Sequence, residues 1–218
     1  MTITAIRDRL QQRLREPLPG HDAFLELSGY KREDLEAARR ISPPPRESAV
    51  LALIYERQAV PHLLLMLRPT YEGVHSGQVA FPGGRMEPED ADLRSTALRE
   101  FSEETGAAVN GVEVLGMLTP VYIPPSRSLV TPFIGMLPEL GAVAPDPREV
   151  AALIEAPLEL VLRDDILKHR QQHLVMLGRS VLVPYFDIEG HAVWGATAMM
   201  LAELRELLRP HFQSKAFQ

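Results

Sequence analysis

Residues 77–107 have the sequence GQVAFPGGRMEPEDADLRSTALREFSEETGA, and the rest of the chain is interpreted from this segment. We predict a short strand over 79–81, a turn at 82–84, an acidic loop and then a helix. Asp90 or Asp92 is placed to cap the first turn of that helix, and Gly106 is placed to end it. Apolar side chains recur along one side of the helix, which predicts that it packs on a sheet.

Three carboxylates lie near the end of this helix, at Glu100, Glu103 and Glu104. At about 100° per residue they fall within roughly a third of the helix circumference. Like charges at these spacings repel each other, and a divalent cation would convert that repulsion into binding. Carboxylate oxygens are hard ligands that suit Mg²⁺ or Mn²⁺. A solvated acidic face is the alternative interpretation.

The run REFSEETGA, from Arg99 to Ala107, follows a Gly-Gly pair and an acidic loop, and it resembles the second half of the Nudix box of the Nudix hydrolases. The first half is one residue longer than the usual box. The acid that steadies Arg99 or joins the metal cluster is therefore left open between Asp90, Glu87 and Glu89.

The resemblance implies an α/β (α+β) fold, the Nudix α/β/α sandwich, with a mixed sheet and an N-terminal helical appendage. It implies metal binding by Glu100, Glu103, Glu104 and the backbone carbonyl of Gly84, and catalysis by Arg99, Glu100 and Glu103. Arg99 would orient a carboxylate through charge-assisted hydrogen bonds. The proton acceptor is left open between Glu100, Glu103 and a loop carboxylate such as Glu149.

Residues upstream of the box resemble the signature of the coenzyme A pyrophosphatase branch of this superfamily. That signature pairs an arginine at a strand end, here Arg68, with a His-x-Gly-Gln before Phe-Pro-Gly-Gly, here 75–84. The branch usually has a basic residue at the place of Gly73. The resemblance implies a substrate site formed by Arg68, His75, Gln78 and Gly83.

The leading hypothesis is metal-dependent hydrolysis of coenzyme A or its derivatives to 3′,5′-ADP and 4′-phosphopantetheine. Gly73 supports an alternative nucleoside diphosphate substrate, such as NADH, FAD or ADP-ribose. A third hypothesis is a Nudix-fold nucleotide-binding module without catalysis. For Trp194 we favour packing beneath the last helix over stacking on adenine, and Arg127 is a candidate phosphate contact by position alone.

Composition excludes several other classes of protein. The 218 residues carry a net charge of −6, which argues against a nucleic-acid partner. The chain has no cysteine, so thiolate metal sites and a cysteine nucleophile are excluded. No apolar run reaches the length of a membrane span, and we expect a cytoplasmic protein.

A proline run at 43–45 separates an N-terminal helical extension, residues 1–42, from a Nudix domain, residues 43–218. The extension is a candidate for packing or for homodimer formation. Helices are predicted at 3–15, 21–40, 147–155, 158–167 and 195–209. Strands are predicted at 49–55, 62–68, 112–118, 129–137, 173–177 and 181–187, the first two as a hairpin.

Overall fold

The computed structural model describes residues 1–27, 35–70, 76–174 and 178–209. The helices are α1 (Ile3–Arg13), α2 (Asp22–Leu25), α3 (Leu35–Arg39), α4 (Leu93–Thr105), α5 (Leu158–Val161) and α6 (Gly195–Leu208), with a 3₁₀ turn at Pro124–Ser126. The strands are β1 (Arg46–Arg57), β2 (Val60–Leu67), β3 (Val79–Ala80), β4 (Gly83–Arg85), β5 (Glu113–Met117), β6 (Val121–Ile123), β7 (Ser128–Glu139), β8 (Ala152–Pro157), β9 (Leu167–Leu174), β10 (Arg179–Ile188) and β11 (His191–Trp194).

The first eight strands form one mixed sheet. β1 pairs parallel with β7 and antiparallel with β2, and β2 continues to β3 and β8. β4 pairs with β1, while β5 and β6 pair with β7. The central strands are near-continuous apolar runs because both faces of this sheet are covered by helices.

Alternate residues of β1 point to the two faces of the sheet. Leu51 and Leu53 pack with Ala97 and Phe101 of α4 on one face. Ala52 and Ile54 belong to the larger core on the opposite face, which includes residues of α1 and α6. The predicted α/β/α sandwich with a mixed sheet is confirmed.

The N-terminal helices contribute to this larger core. Ile6 and Leu10 of α1 are fully buried, and α1 packs against α6. The predicted helix over 21–40 contains the two short helices α2 and α3, with residues 28–34 outside the described part. The 1–42 boundary and homodimer formation stay predictions.

Other parts of the secondary structure were wrongly predicted. A helix was expected at 147–155, but β8 occupies 152–157 because it pairs along β2. The expected helix at 158–167 shortens to α5, and the expected turn at 82–84 contains β4, which pairs with β1. β6 and β11 were not predicted. The β1–β2 hairpin, α1, α4 and α6 are confirmed.

The last three strands form a separate antiparallel sheet in the order β11-β10-β9. Phe186, Ile188 and Val193 on one of its faces join the main core. Within the described ranges, none of the helices has the length and apolar character needed to cross a membrane.

Candidate active site

A cleft of about 330 Å³ opens where β2, β4 and α4 meet the loop before β8. Its lining combines carboxylates, arginines and glycines: Arg68, Pro69, Gly83, Gly84, Glu100, Glu104, Arg148 and Glu149. The lining is therefore strongly polar and charged.

Helix α4 is held at both ends, which fixes the direction of its carboxylates. The Asp92 carboxylate accepts a hydrogen bond from the Ser95 N–H at 2.7 Å, so Asp92 is the N-cap. Gly106 ends the helix in the left-handed conformation at φ 69°. The Asp146 N–H donates to the Glu104 carbonyl at 3.1 Å, which ties the loop carrying Glu149 to the last turn of α4.

Gly83 and Gly84 allow the backbone of β4 to lie directly against its neighbours. At Gly83, with φ 152°, a Cβ atom would lie 2.3 Å from the Ala49 carbonyl oxygen. At Gly84, a Cβ atom would lie 2.4 Å from the Glu100 carboxyl group. The backbone of β4 thus closely approaches β1 and a carboxylate of the cleft.

Glu104 is a buried carboxylate with few hydrogen-bond donors. Its Oε2 accepts from the Gly83 N–H at 2.6 Å, and its Oε1 lies 3.6 Å from Nη2 of Arg68. Burial raises the pKa of Glu104 to about 7, although the Gly83 N–H and Arg68 favour the charged form. The negative charges of Glu100 and Glu149 add to the rise.

Glu100 shares this environment. Burial raises the pKa of its carboxyl group, and Arg99 partly opposes the rise. The nearby charges of Glu103 and Glu149 again favour the protonated form. Two adjacent cleft carboxylates are therefore destabilised in their charged forms, which is the electrostatic condition that a bound cation relieves.

Arg99 joins the acidic loop to the carboxylates of α4. It donates to Asp90 through Nε and Nη2, each at 2.9 Å, in a bidentate pair. Its Nη1 donates to Glu100 at 3.1 Å and to Glu103 at 2.9 Å. Among the three acids left open by the sequence, Asp90 is thus the partner of Arg99.

Asp90 is itself held in place by two further donors. Its Oδ2 accepts from the Glu87 N–H and from the Thr96 hydroxyl, both at 2.9 Å. The hydrogen bonds from Arg99 hold the pKa of Asp90 well below its usual range. A charged Asp90 therefore fixes Arg99 across the lengthened loop.

The donor set of the cleft fits a divalent metal ion. Glu100, Glu104 and Glu149 present hard oxygen ligands to one cavity, and burial already destabilises the charge on the first two. The third residue of the predicted triplet, Glu103, has a side chain that is 58% exposed and is paired with Arg99. Over the described ranges, no three His, Asp or Glu side chains are already assembled as a metal-binding group.

A sequence model of the NUDIX domain matches residues 45–177. The chain belongs to the Nudix family. Nudix hydrolases act on nucleoside diphosphate substrates and generally use divalent metal ions, and α4 with its preceding loop is the Nudix box of this enzyme.

The chain is similar to two Nudix relatives and to one solved structure. The chain is 36% identical over 174 residues to the Nudix hydrolase NudL of Photorhabdus laumondii, covering 77% of this chain and 88% of the relative. It is 35% identical over 177 residues to the mitochondrial coenzyme A diphosphatase NUDT8 of Homo sapiens, covering 80% of this chain and 74% of the relative. A NUDIX hydrolase structure from Alicyclobacillus acidocaldarius aligns with a TM-score of 0.46 and 20% identity, covering 56% of this chain and 83% of that one.

The Nudix cleft brings together most of the residues singled out in the sequence. Arg68, Gly83, Gly84, Glu100 and Glu104 all line it. Arg99 contacts the cleft carboxylate Glu100, whereas Glu103 lies on the solvent side of that arginine.

The remaining candidates for contact with the substrate are Gln78, His75 and Arg127. The Gln78 carbonyl accepts from the Arg68 N–H at 3.0 Å, so its backbone supports the end of β2. His75 and Gly73 lie outside the described residues. Arg127 donates to the Pro43 carbonyl at 2.6 Å, and its suggested phosphate contact stays a prediction.

Sequence reasoning missed Arg148 and Pro69 of the Nudix cleft. Arg148 is paired with Asp146 through Nη2 and Oδ2 at 2.5 Å, and its side chain is 85% exposed at the edge of the cleft. The available signal was the run Asp146-Pro147-Arg148-Glu149, which combines a turn with both signs of charge. Residues 147–149 of that run were included in the helix predicted at 147–155, so Arg148 was not assigned to the loop that carries Glu149.

Proposed function

We propose that this Nudix hydrolase cleaves the pyrophosphate bond of coenzyme A or its derivatives, giving 3′,5′-ADP and 4′-phosphopantetheine or its acylated form. The observation that carries the hydrolytic part is the convergence of Glu100, Glu104 and Glu149 with Arg68 in one cleft. The similarity to the coenzyme A diphosphatase NUDT8 supports coenzyme A as the substrate.

We propose Mg²⁺ or Mn²⁺ as the cofactor, held by Glu100 and Glu104, with Glu103 and the Gly84 carbonyl as further ligands. Such an ion, when bound, neutralises charge on the pyrophosphate oxygens and lowers the pKa of a bound water. Glu103 would have to leave Arg99 to contribute, since its carboxylate is engaged there at 2.9 Å.

The residues of the cleft divide the remaining work between binding and orientation. Arg68 lies at the end of β2 with Nη2 within 3.6 Å of Glu104, and its other donors are suited to a phosphate of the substrate. The Gly83 N–H holds Glu104 in a fixed orientation. Arg99, held by Asp90, orients Glu100 and Glu103, either of which is a candidate to accept the proton of the attacking water, as is Glu149.

The test is incubation of the purified protein with coenzyme A and Mg²⁺ or Mn²⁺, followed by mass-spectrometric identification of products. NADH, FAD and ADP-ribose are assayed in parallel, and Glu104→Gln serves as the inactive control. We expect equimolar 3′,5′-ADP and 4′-phosphopantetheine, formed only when the metal is present. Faster turnover of another dinucleotide would overturn the choice of coenzyme A, and no turnover of any substrate would favour a binding module.

A further inference from the structure

Arg148 lies at the edge of the Nudix cleft, in the turn that also carries Glu149. The Asp146 N–H donates to the Glu104 carbonyl of α4 at 3.1 Å, which attaches this turn to the helix of the Nudix box. The Asp146 carbonyl accepts from the N–H groups of Glu149 at 3.0 Å and Val150 at 2.8 Å, which closes the turn. The backbone of Arg148 is therefore fixed beside the cleft, independently of what its side chain contacts.

The guanidinium of Arg148 hydrogen bonds to Asp146 and to no other residue in the described part of the chain. Its Nε donates to Oδ1 at 3.0 Å and its Nη2 donates to Oδ2 at 2.5 Å. These bonds lower the pKa of Asp146 to about 2, so the pair is ionised at neutral pH. The Arg148 side chain is 85% exposed, and an exposed ion pair contributes little free energy because water competes for both charges. Asp146 is therefore a partner that Arg148 can exchange at little cost.

The other arginine that lines the cleft, Arg68, is engaged differently. Its Nη2 lies 3.6 Å from the buried carboxylate of Glu104, so its charge already stabilises a group of the cleft. Glu100, Glu104 and Glu149 concentrate negative charge at the place where an anionic substrate would enter. Of the two arginines, Arg148 is thus the one whose charge is available to an incoming anion.

We propose that Arg148 binds the pyrophosphate group of the substrate by exchanging Asp146 for phosphoryl oxygens, so that Asp146 and the substrate compete for one guanidinium. Phosphoryl oxygens accept the same two parallel N–H bonds as a carboxylate, and a pyrophosphate carries more negative charge than one aspartate. The walls of the cleft exclude part of the surrounding water, which strengthens the new contact relative to the exposed pair. This inference rests on the proposed function, because it assumes that the pyrophosphate enters this cleft.

Two substitutions test the competition, because they should shift KM in opposite directions. Arg148→Gln removes a substrate contact, so the KM for coenzyme A should rise about tenfold while kcat stays near the wild-type value. Asp146→Asn releases the guanidinium, and its side-chain oxygen can still accept from the Arg148 N–H, so KM should fall about threefold. An unchanged KM in Arg148→Gln, or a KM that rises or stays the same in Asp146→Asn, would overturn the proposal.

Arg163 provides a matched control, because it forms the same kind of exposed pair with Asp165 and does not line the cleft. Arg163→Gln should leave KM unchanged, and a rise equal to that of Arg148→Gln would reduce the effect to a general loss of positive charge and overturn the contact.

The double variant Arg148→Gln/Asp146→Asn tests whether Asp146 acts through Arg148. In that case Asp146→Asn has no further effect on KM once the arginine is absent. A threefold fall in KM on the Arg148→Gln background would show that Asp146 repels the substrate directly, and would overturn the competition.

A binding measurement separates this inference from the proposed reaction, since it requires no turnover. Calorimetry in the presence of Mg²⁺ compares AMP with α,β-methylene-ADP, whose diphosphate cannot be hydrolysed. The wild-type protein should prefer the diphosphate, and Arg148→Gln should reduce that preference about tenfold. An equal preference in both proteins would overturn the contact even if coenzyme A is hydrolysed. A preference that depends on Arg148, without hydrolysis of coenzyme A, would uphold the contact and refute the proposed reaction.

Discussion

Two glutamates on different helices are almost completely buried, and their surroundings are opposite. Glu203 of α6 is 1% exposed and accepts from Gly20 N at 2.9 Å, Thr119 N at 2.8 Å and the Thr119 hydroxyl at 2.7 Å. Glu104 of α4 is 2% exposed, accepts from Gly83 N at 2.6 Å, lies 3.6 Å from Arg68 Nη2, and borders a cavity shared with Glu100 and Glu149.

The difference shows how one residue type serves two purposes. Three donors satisfy Glu203, which joins the N-terminal segment and the loop after β5 to the last helix. This carboxylate needs no bound cation, because both of its oxygens already accept hydrogen bonds. Glu104 lies 3.6 Å from Arg68 but also beside other carboxylates, and protonation or a bound cation would relieve the repulsion that remains.

The largest expected effect separates the two residues by activity. Glu104→Gln removes a proposed metal ligand, so we expect the turnover of coenzyme A to fall on the order of a thousandfold. Glu203→Gln should keep turnover per folded molecule near the wild-type value. Steady-state kinetics with circular dichroism on both variants make this comparison, and full activity in Glu104→Gln would refute its assignment.

The next effect concerns stability, which we expect to fall in Glu203→Gln and not in Glu104→Gln. Glu203→Gln places an amide N–H₂ among backbone and hydroxyl donors, so we expect a loss of about 2–3 kcal/mol in the free energy of unfolding. Glu104→Gln in metal-free buffer should be neutral or stabilising, because it removes a repelled buried charge. Urea denaturation measures both, and equal destabilisation of the two variants would contradict the distinction drawn between them.

A smaller effect is expected from the acid that holds Arg99. Asp90→Asn weakens the bidentate pair, so we expect kcat to fall at least about tenfold, as for other residues that orient metal ligands. Asp92→Asn is the matched control, since asparagine also caps helices and Asp92 contacts Ser95 rather than Arg99. Kinetics that are unchanged in Asp90→Asn would show that Arg99 needs no acid from the loop.

The smallest effect is a pH dependence of the metal-free protein. Because the pKa of Glu104 is raised from 4.5 to about 7, its contribution to stability is fully present below about pH 4.5 and is lost as the pH rises through 7. The free energy of unfolding of the wild type minus that of Glu104→Gln should therefore fall as the pH rises over this interval, by less than about 1.4 kcal/mol per pH unit. Denaturation at several pH values measures this quantity, and a wild type that gains stability relative to Glu104→Gln as the pH rises would contradict the shift.

The Nudix box could be predicted from sequence because its signals are local. Asp92 and Gly106 cap α4 where their residue types favour it, and the helix period sets Glu100 and Glu104 one turn apart. The period did not determine the position of Glu103, because Arg99 lies one turn before it and captures its carboxylate.

The remaining differences arise from contacts distant in sequence. Residues 152–157 have the composition of a helix, yet they form a strand because they pair along β2. The loop before this strand places Glu149 in the cleft. Asp90 could not be chosen over Glu87 and Glu89 because the choice depends on how the loop folds back onto Arg99 and Thr96. Trp194 packs against Leu174, Val181 and Val183 of β9 and β10, whereas packing beneath the last helix was expected from the sequence.

The central claim, that the cleft carboxylates bind the divalent ion while other buried acids do not, is tested most directly by Mn²⁺ binding. Electron paramagnetic resonance of free Mn²⁺, titrated with wild type, Glu104→Gln and Glu203→Gln near pH 8, gives the three dissociation constants. We predict that Glu104→Gln weakens binding at least about tenfold, while Glu203→Gln leaves it unchanged. Equal Mn²⁺ affinity in wild type and Glu104→Gln would contradict the account.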